Sequence, residues 1–161
     1  MQGTNIFIVD NNDMIVRSLK KHLQNRFGES IQISTFKDGE SCLSKVNKEL
    51  DIVILDYFIK GKNSLDILKS IKSINPKTEV IMLSGNEDVA MAIESFRDGA
   101  YEYVIKGNNA WGKITKIVKY IITKPLRIMV KEFSISKQIA ILLLISVIIG
   151  VIVILGLWIK R

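Results

Sequence analysis

Residues 51–74 read DIVILDYFIKGKNSLDILKSIKSI. The first five, Asp51–Leu55, form an apolar, β-branched run without polar alternation, the pattern of a strand covered on both faces. Asp56 ends that run. After a short loop containing Gly61, the stretch Ser64 to Ile74 places Leu65, Leu68 and Ile71 on one side of a helix, which stops near Pro76. A buried strand, a carboxylate at its C-terminal end and an amphipathic helix behind it form one β-α unit of a parallel sheet.

The same unit recurs on both sides. Asn5–Val9 is an apolar run, followed by Ile15, Leu19, Leu23 and Phe27 at fourfold spacing, with Asn12 or Asp13 to cap the helix. Ile31–Phe36 alternates as a strand, and Asp38 to Asn47 reads as helix. Glu79–Leu83 is a strand, Glu87 to Arg97 a helix stopped by Gly99, and Tyr101–Ile105 a strand. Trp111, Ile114, Val118 and Ile121 mark a last helix, which Pro125 is expected to end or kink. Five such units predict an α/β, doubly wound parallel sheet over residues 1–123, with helices on both faces. There is no internal repeat.

Composition narrows the chemistry. The chain has 161 residues, 48% hydrophobic and 24% charged, which excludes disordered and collagen-like classes. One cysteine, Cys42, excludes an internal disulfide and a multi-cysteine zinc site, and its expected role is packing. One histidine, His22, excludes two-histidine chemistry and reads as an ordinary structural residue. The net charge is +7, but residues 1–122 carry 17 Lys/Arg against 15 Asp/Glu, whereas residues 123–161 carry 6 against 1. The basic excess therefore surrounds the C-terminal segment, and no recognition helix for a groove is evident, so nucleic acid is not an expected partner.

That segment reads as a membrane span. Ile139–Ile159 holds no charged residue over 21 positions, sixteen of them Ile, Leu or Val. At 1.5 Å rise per residue it is roughly 31 Å long, matching a hydrocarbon core. The competing reading, a fully buried core helix, fails because a domain this small cannot surround 21 apolar residues. Lys124, Arg127, Lys131 and Lys137 precede the span and only Lys160 and Arg161 come after it, which places the N-terminal domain in the cytosol. The start of the chain lacks a basic n-region, and Asp10 breaks its apolar run, so no signal peptide is expected. The basic stretch 124–138 serves as a linker or rests Leu126, Met129 and Phe133 in the interface. Ser146 and Gly150 form a small-residue pair through which a homodimer could pack.

In open α/β sheets, sites form beyond the C-terminal strand ends. Here those ends carry Asp10-Asn11, Asp56, Ser84-Gly85 and Lys106, four polar groups from four strands converging on one rim. A carboxylate such as Asp56 can attack a phosphoryl group once a divalent cation and a lysine remove the repulsion between anions. Ser84 supplies a hydroxyl donor, and Gly85 leaves room.

These motifs resemble the bacterial response-regulator receiver domain. IFIVDNND (6–13) resembles that family's first strand and acidic loop, and VILDYFIKGKNSLDIL (53–68) its phosphoacceptor strand, loop and helix. VIMLSGNED (80–88) and GAYEYVIKG (99–107) resemble the ends of its fourth and fifth strands. The resemblance covers about residues 4–122 and implies a flavodoxin-like (βα)5 fold with strand order 2-1-3-4-5. It implies Asp56 as phosphoacceptor, and Mg²⁺ held by Asp10, Asn11, Asp56 and the backbone carbonyl of Phe58. Ser84 and Lys106 would hold the phosphoryl group, and Tyr103 would couple Ser84 to a surface of the fourth helix, fifth strand and fifth helix.

Three positions depart from the family pattern. Asn11 stands where a second acid is usual, and Asp13 is expected in the first helical turn, unable to replace it. Gly107 stands where a proline succeeds the lysine, and Lys60 and Lys62 occupy the loop after Asp56. The expected function is a membrane-anchored, single-domain response regulator in a phosphorelay, with a sensor histidine kinase or histidine phosphotransfer protein as donor. It would be a signalling phosphoacceptor, not an enzyme, though with self-catalysed phosphotransfer and dephosphorylation within its chemistry. Its expected location is the bacterial inner membrane, single-pass, receiver domain in the cytosol, with no DNA-binding output domain. The alternative is a receiver-like docking module that is never phosphorylated.

Overall fold

The computed structural model describes residues 3–61, 63–132 and 145–146. Five strands, β1 (Thr4–Val9), β2 (Ile31–Phe36), β3 (Ile52–Asp56), β4 (Glu79–Ser84) and β5 (Glu102–Ile105), form one sheet of order β2-β1-β3-β4-β5. Every pairing is parallel. The helices are α1 (Asp13–Phe27), α2 (Gly39–Leu43), α3 (Ser64–Ile74), α4 (Val89–Arg97) and α5 (Ala110–Glu132), with one 3₁₀ turn, Gly28–Ser30, before β2. Residues Met1–Ile122 form one compact unit. This is the expected flavodoxin-like doubly wound sheet.

Side chains alternate along each strand, so the sheet feeds two cores. Ile6, Ile8, Ile52, Ile54, Ile81, Leu83 and Val104 pack with Leu19 and Leu23 of α1 and Ile114 and Val118 of α5. Val9, Val53, Leu55, Val80 and Met82 pack on the other face with Cys42 of α2 and Leu65, Leu68 and Ile71 of α3, with Met91 of α4 against them. Every residue of β3 is buried, as its unbroken apolar run requires.

Four helices begin on a side-chain cap. Asn12 accepts from Met14 N and Ile15 N, Asp38 from Ser41 N, Asn63 from Leu65 N, and Asp88 from Ala90 N and Met91 N. Each such cap contributes about 1 kcal/mol.

Four strands differ from the sequence reading by one residue at one or both ends, and three helix boundaries differ by more. The helix expected over 38–47 is only α2, because Lys45 N and Val46 N bond to Cys42 O and Leu43 O, three residues back, which tightens the chain into turns. Asn47 then bends it further by accepting from Glu49 N at 2.9 Å. The helix expected from Glu87 starts at Val89 because Asp88 takes the cap. α5 does not end at Pro125 but runs to Glu132. A proline removes one backbone hydrogen bond at a cost of ~3 kcal/mol, and the good helix formers on either side carry the helix past it.

The span anticipated over 139–159, and the approach over 133–138, lie outside the described residues except for Ile145 and Ser146. Among the described residues, no helix is long and apolar enough to cross a membrane.

Candidate functional site

Sheet register assembles the rim. Val9 lies opposite Leu55, so Asp10 and Asp56, each one residue on, emerge side by side. Asp56 pairs with Leu83 and Ser84 with Ile105, which brings Ser84 and Lys106 to the same end. The Lys106 N–H donates to Ser84 O at 2.6 Å, extending the ladder one step.

Asp10 and Asp56 are 1% and 4% exposed, and both receive Lys106. Its Nζ donates to Asp10 Oδ2 at 2.8 Å and to Asp56 Oδ1 at 2.9 Å. Buried carboxylates persist only when paired, and one ammonium serves two of them here. Burial works against the Lys106 charge, but the bonds and charges of Asp10 and Asp56 outweigh it and hold its pKa above the ordinary lysine value. Asp10 is oriented from its other side as well, where the Asn12 N–H donates to Oδ1 at 2.8 Å. Asn12 thus fixes the start of α1 with its side chain and Asp10 with its backbone.

Asp13 sits in the first turn of α1 and is paired with Lys37 at 2.9 Å. The hydrogen bond and charge of Lys37 hold its carboxyl below the usual range. It is therefore engaged away from the Asp10–Asp56 pair. Among the described residues, no group of three or more His, Cys, Asp or Glu could hold a metal ion. The Asp10 and Asp56 carboxylates nevertheless offer hard oxygen donors, a set that the half-buried Asn11 amide and the Phe58 carbonyl would complete. Two of them already converge on a single cation within 3 Å. That set fits Mg²⁺ by donor chemistry, with one fewer negative charge than three carboxylates would provide.

Ser84 is fully buried, and its Oγ accepts from the Asn86 N–H at 3.1 Å. Tyr103, also buried, donates from its hydroxyl to Asn86 O at 3.3 Å. The Asn86 backbone is thus held by Ser84 on its N–H and by Tyr103 on its carbonyl. Asn86 was invisible as a functional residue in the sequence because both bonds use its backbone, and the only signal was the turn-forming Ser-Gly-Asn order. A Cβ added at Gly85 or at Gly107 would meet nothing within 4 Å, so the space beside Ser84 and after Lys106 is open. A cavity of about 270 Å³ opens after Lys106, lined by Glu87, Lys106, Asn108 and Lys113 among others.

Phe58 is 53% exposed beside the site, Lys60 is exposed, and Lys62 lies outside the described residues. Gly61 turns that loop with φ 99°, a conformation that favours glycine. His22 hydrogen-bonds Thr115 between α1 and α5 at 2.9 Å.

A family model described as "Response regulator receiver domain" matches residues 6–119. The transcriptional regulator NtrC of Salmonella typhimurium is 28% identical over 107 residues, covering 66% of this chain and 22% of NtrC. The heme response regulator HssR of Staphylococcus epidermidis is 31% identical over 103 residues, covering 63% of this chain and 44% of HssR. The chain therefore spans less than half the length of these curated relatives. Among solved structures, the BeF3-activated DrrB receiver domain superposes with a TM-score of 0.67 at 27% identity, covering 74% of this chain and 97% of that one. With the parallel 2-1-3-4-5 sheet and the Asp10, Asp56, Ser84 and Lys106 rim, the match over residues 6–119 shows that the chain belongs to the response regulator receiver domain family.

Proposed function

We propose that this receiver domain accepts a phosphoryl group on Asp56, and that a C-terminal span tethers it to a bacterial inner membrane with the domain in the cytosol. The observation that carries the acceptor reading is the buried Asp10–Asp56 pair drawn onto Lys106 at the sheet's C-terminal rim. The donor is the phosphohistidine of a sensor histidine kinase or a histidine phosphotransfer protein. An Asp56 oxygen forms the new bond to phosphorus as the phosphorus–nitrogen bond breaks. Its electron pair returns to the imidazole, which takes a proton from solvent.

Asp10, Asn11, Asp56 and the Phe58 carbonyl would hold Mg²⁺, which when bound offsets the repulsion between carboxylate and phosphoryl oxygens. Lys106 shifts from pairing two carboxylates to pairing the phosphoryl group, so its charge stays compensated throughout. Ser84 carries a hydroxyl proton that can turn to a phosphoryl oxygen. Drawing the Oγ itself toward that oxygen disturbs the Ser84–Asn86 bond, and Asn86 is also the acceptor for Tyr103 and lies just before the α4 cap. The chemistry at Asp56 thereby reaches the α4–β5 surface.

The acceptor reading is tested by treating the full chain and its Asp56→Asn variant with acetyl phosphate and Mg²⁺ in detergent. A base-labile phosphate on the parent alone is expected. Its absence from both would leave the second reading, an unphosphorylated docking module, which Asn11 favours by removing a charge from the metal set. The tether rests on the uncharged 21-residue run 139–159 and its basic approach. It is tested by alkaline carbonate extraction of membranes, where release of the chain into the supernatant would sink it.

A further inference from the structure

Three aromatic rings connect the loop beside Asp56 to the switch residue. Tyr57, directly after Asp56, stands edge-on to Phe58, with centroids 5.2 Å apart and planes at 65°. It stands edge-on also to Tyr103, at 6.3 Å and 70°. Both geometries are favourable for aromatic pairs. The Tyr57 backbone is fixed by its N–H bond to Leu83 O at 2.8 Å, so its Cα cannot drift away from β4. Its ring is half-buried against the same core that holds Met82 and Tyr103, a core that Met91 and Ala92 of α4 also pack against.

Beyond its strand pairing and core packing, the Tyr103 side chain makes two contacts that orient its ring. One is polar, its hydroxyl on Asn86 O, and the hydrogen bonds link Ser84 to Tyr103 through that peptide. The other is the Tyr57 ring against its own. Phe58, at the far end of the trio, is the exposed member. We propose that Tyr57 is a positioning residue for the switch: its ring holds Tyr103 in the buried, Asn86-bonded orientation by a route that does not pass through Ser84. Contact with Phe58 then reaches the α4–β5 surface independently of the phosphoryl group. This inference rests on the receiver reading for its significance, but not for its measurement.

The test uses the full chain in detergent micelles with 3-fluorotyrosine at position 103, without any phosphodonor. The ¹⁹F spectrum reports the buried and solvent-facing orientations of that ring. Tyr57→Phe keeps the ring and is expected to leave the spectrum unchanged. Tyr57→Leu and Tyr57→Ala are expected to raise the solvent-facing population about two- to tenfold, the equilibrium effect of one aromatic pair. The rise should be equal in a Ser84→Ala background. An unchanged Tyr103 spectrum in Tyr57→Leu would overturn the proposal, even with a lowered melting temperature, since that would mark a merely structural ring. Loss of the effect in Ser84→Ala would overturn it too, because the route would then run through Ser84. Should Tyr57→Ala fail to fold, Tyr57→Leu decides. Asp56 phosphorylation, assayed separately on the same protein, tells a failed receiver reading from a failed role for Tyr57.

Discussion

At Asp10 and Asp56, Lys106 supplies one positive charge against two negative ones, and the next residue along the acidic loop, Asn11, adds none. At roughly 4 Å and an effective dielectric near 20, one more carboxylate against a divalent cation is worth several kcal/mol before desolvation is subtracted. Asn11→Asp is therefore expected to tighten Mg²⁺ binding by at least about tenfold, read by titration calorimetry on the full chain. An unchanged affinity would mean that position 11 does not face the metal. Cys42 offers a test of burial instead of charge. It is fully buried in the α2–α3 core, and burial pushes its thiol up to about 12. The unfolded thiol ionises at about 8.5–9, so the stabilisation is complete below that pH and is lost as pH rises toward 12. Between pH 8 and pH 10 the parent should lose ~1.4 kcal/mol more stability than Cys42→Ala, measured by urea unfolding at each pH. Parallel pH curves for the two proteins would contradict a buried neutral thiol.

At the scale of elements, the close packing of α2 on α3 has a narrow point at Gly39. A Cβ on Gly39 would overlap the Ile67 Cδ1 and lie 2.6 Å from its Cγ1, and Ile67 is fully buried. Overpacking of this kind costs ~1–3 kcal/mol. Gly39→Ala should lower the unfolding free energy by that amount, and adding Ile67→Val or Ile67→Ala should recover part of it. Independent, additive losses would show that the two residues do not share the contact. The same pair marks what sequence could reveal about the fold. β3 was legible because an unbroken apolar run has one stable home, and α3 because its apolar residues repeat every three or four positions. α2 was overextended because its C-terminal end is set by i→i+3 bonds and by Asn47. Asn47's carbonyl also accepts from the distant Asn75 amide, which no local pattern encodes. In the site, Asp10, Asp56, Ser84 and Lys106 were legible because strand ends in a parallel sheet share a rim. The Asn86 clamp, the Asn12 N–H on Asp10 and the Tyr57 ring were not, since two act through the main chain and the third through a tertiary contact.

For the whole molecule, the question is which part of the chain the chemistry needs. Both hydrophobic cores draw on residues from Ile6 to Ile122, and every rim residue lies between Asp10 and Lys106. Residues Met1–Ile122 are one compact unit with nearly balanced charge, 17 basic residues against 15 acidic, whereas the remaining 39 carry 6 against 1 and the uncharged run. The rim residues and the uncharged run thus lie in separate stretches. A chain cut after Ile122 should fold with the same two cores and, if Asp56 is the acceptor, take phosphate from acetyl phosphate at a rate within about twofold of the full chain. The margin is that narrow because effects at well-separated positions combine with little coupling, ~0.3–0.5 kcal/mol. The cut chain should also leave the membrane fraction entirely, while the full chain stays in it through carbonate extraction. A cut chain that folds but phosphorylates tenfold more slowly would show that the basic C-terminal part of α5 and the residues beyond it act on the site. Only then would the proposed span be part of the switch, and not simply its mooring.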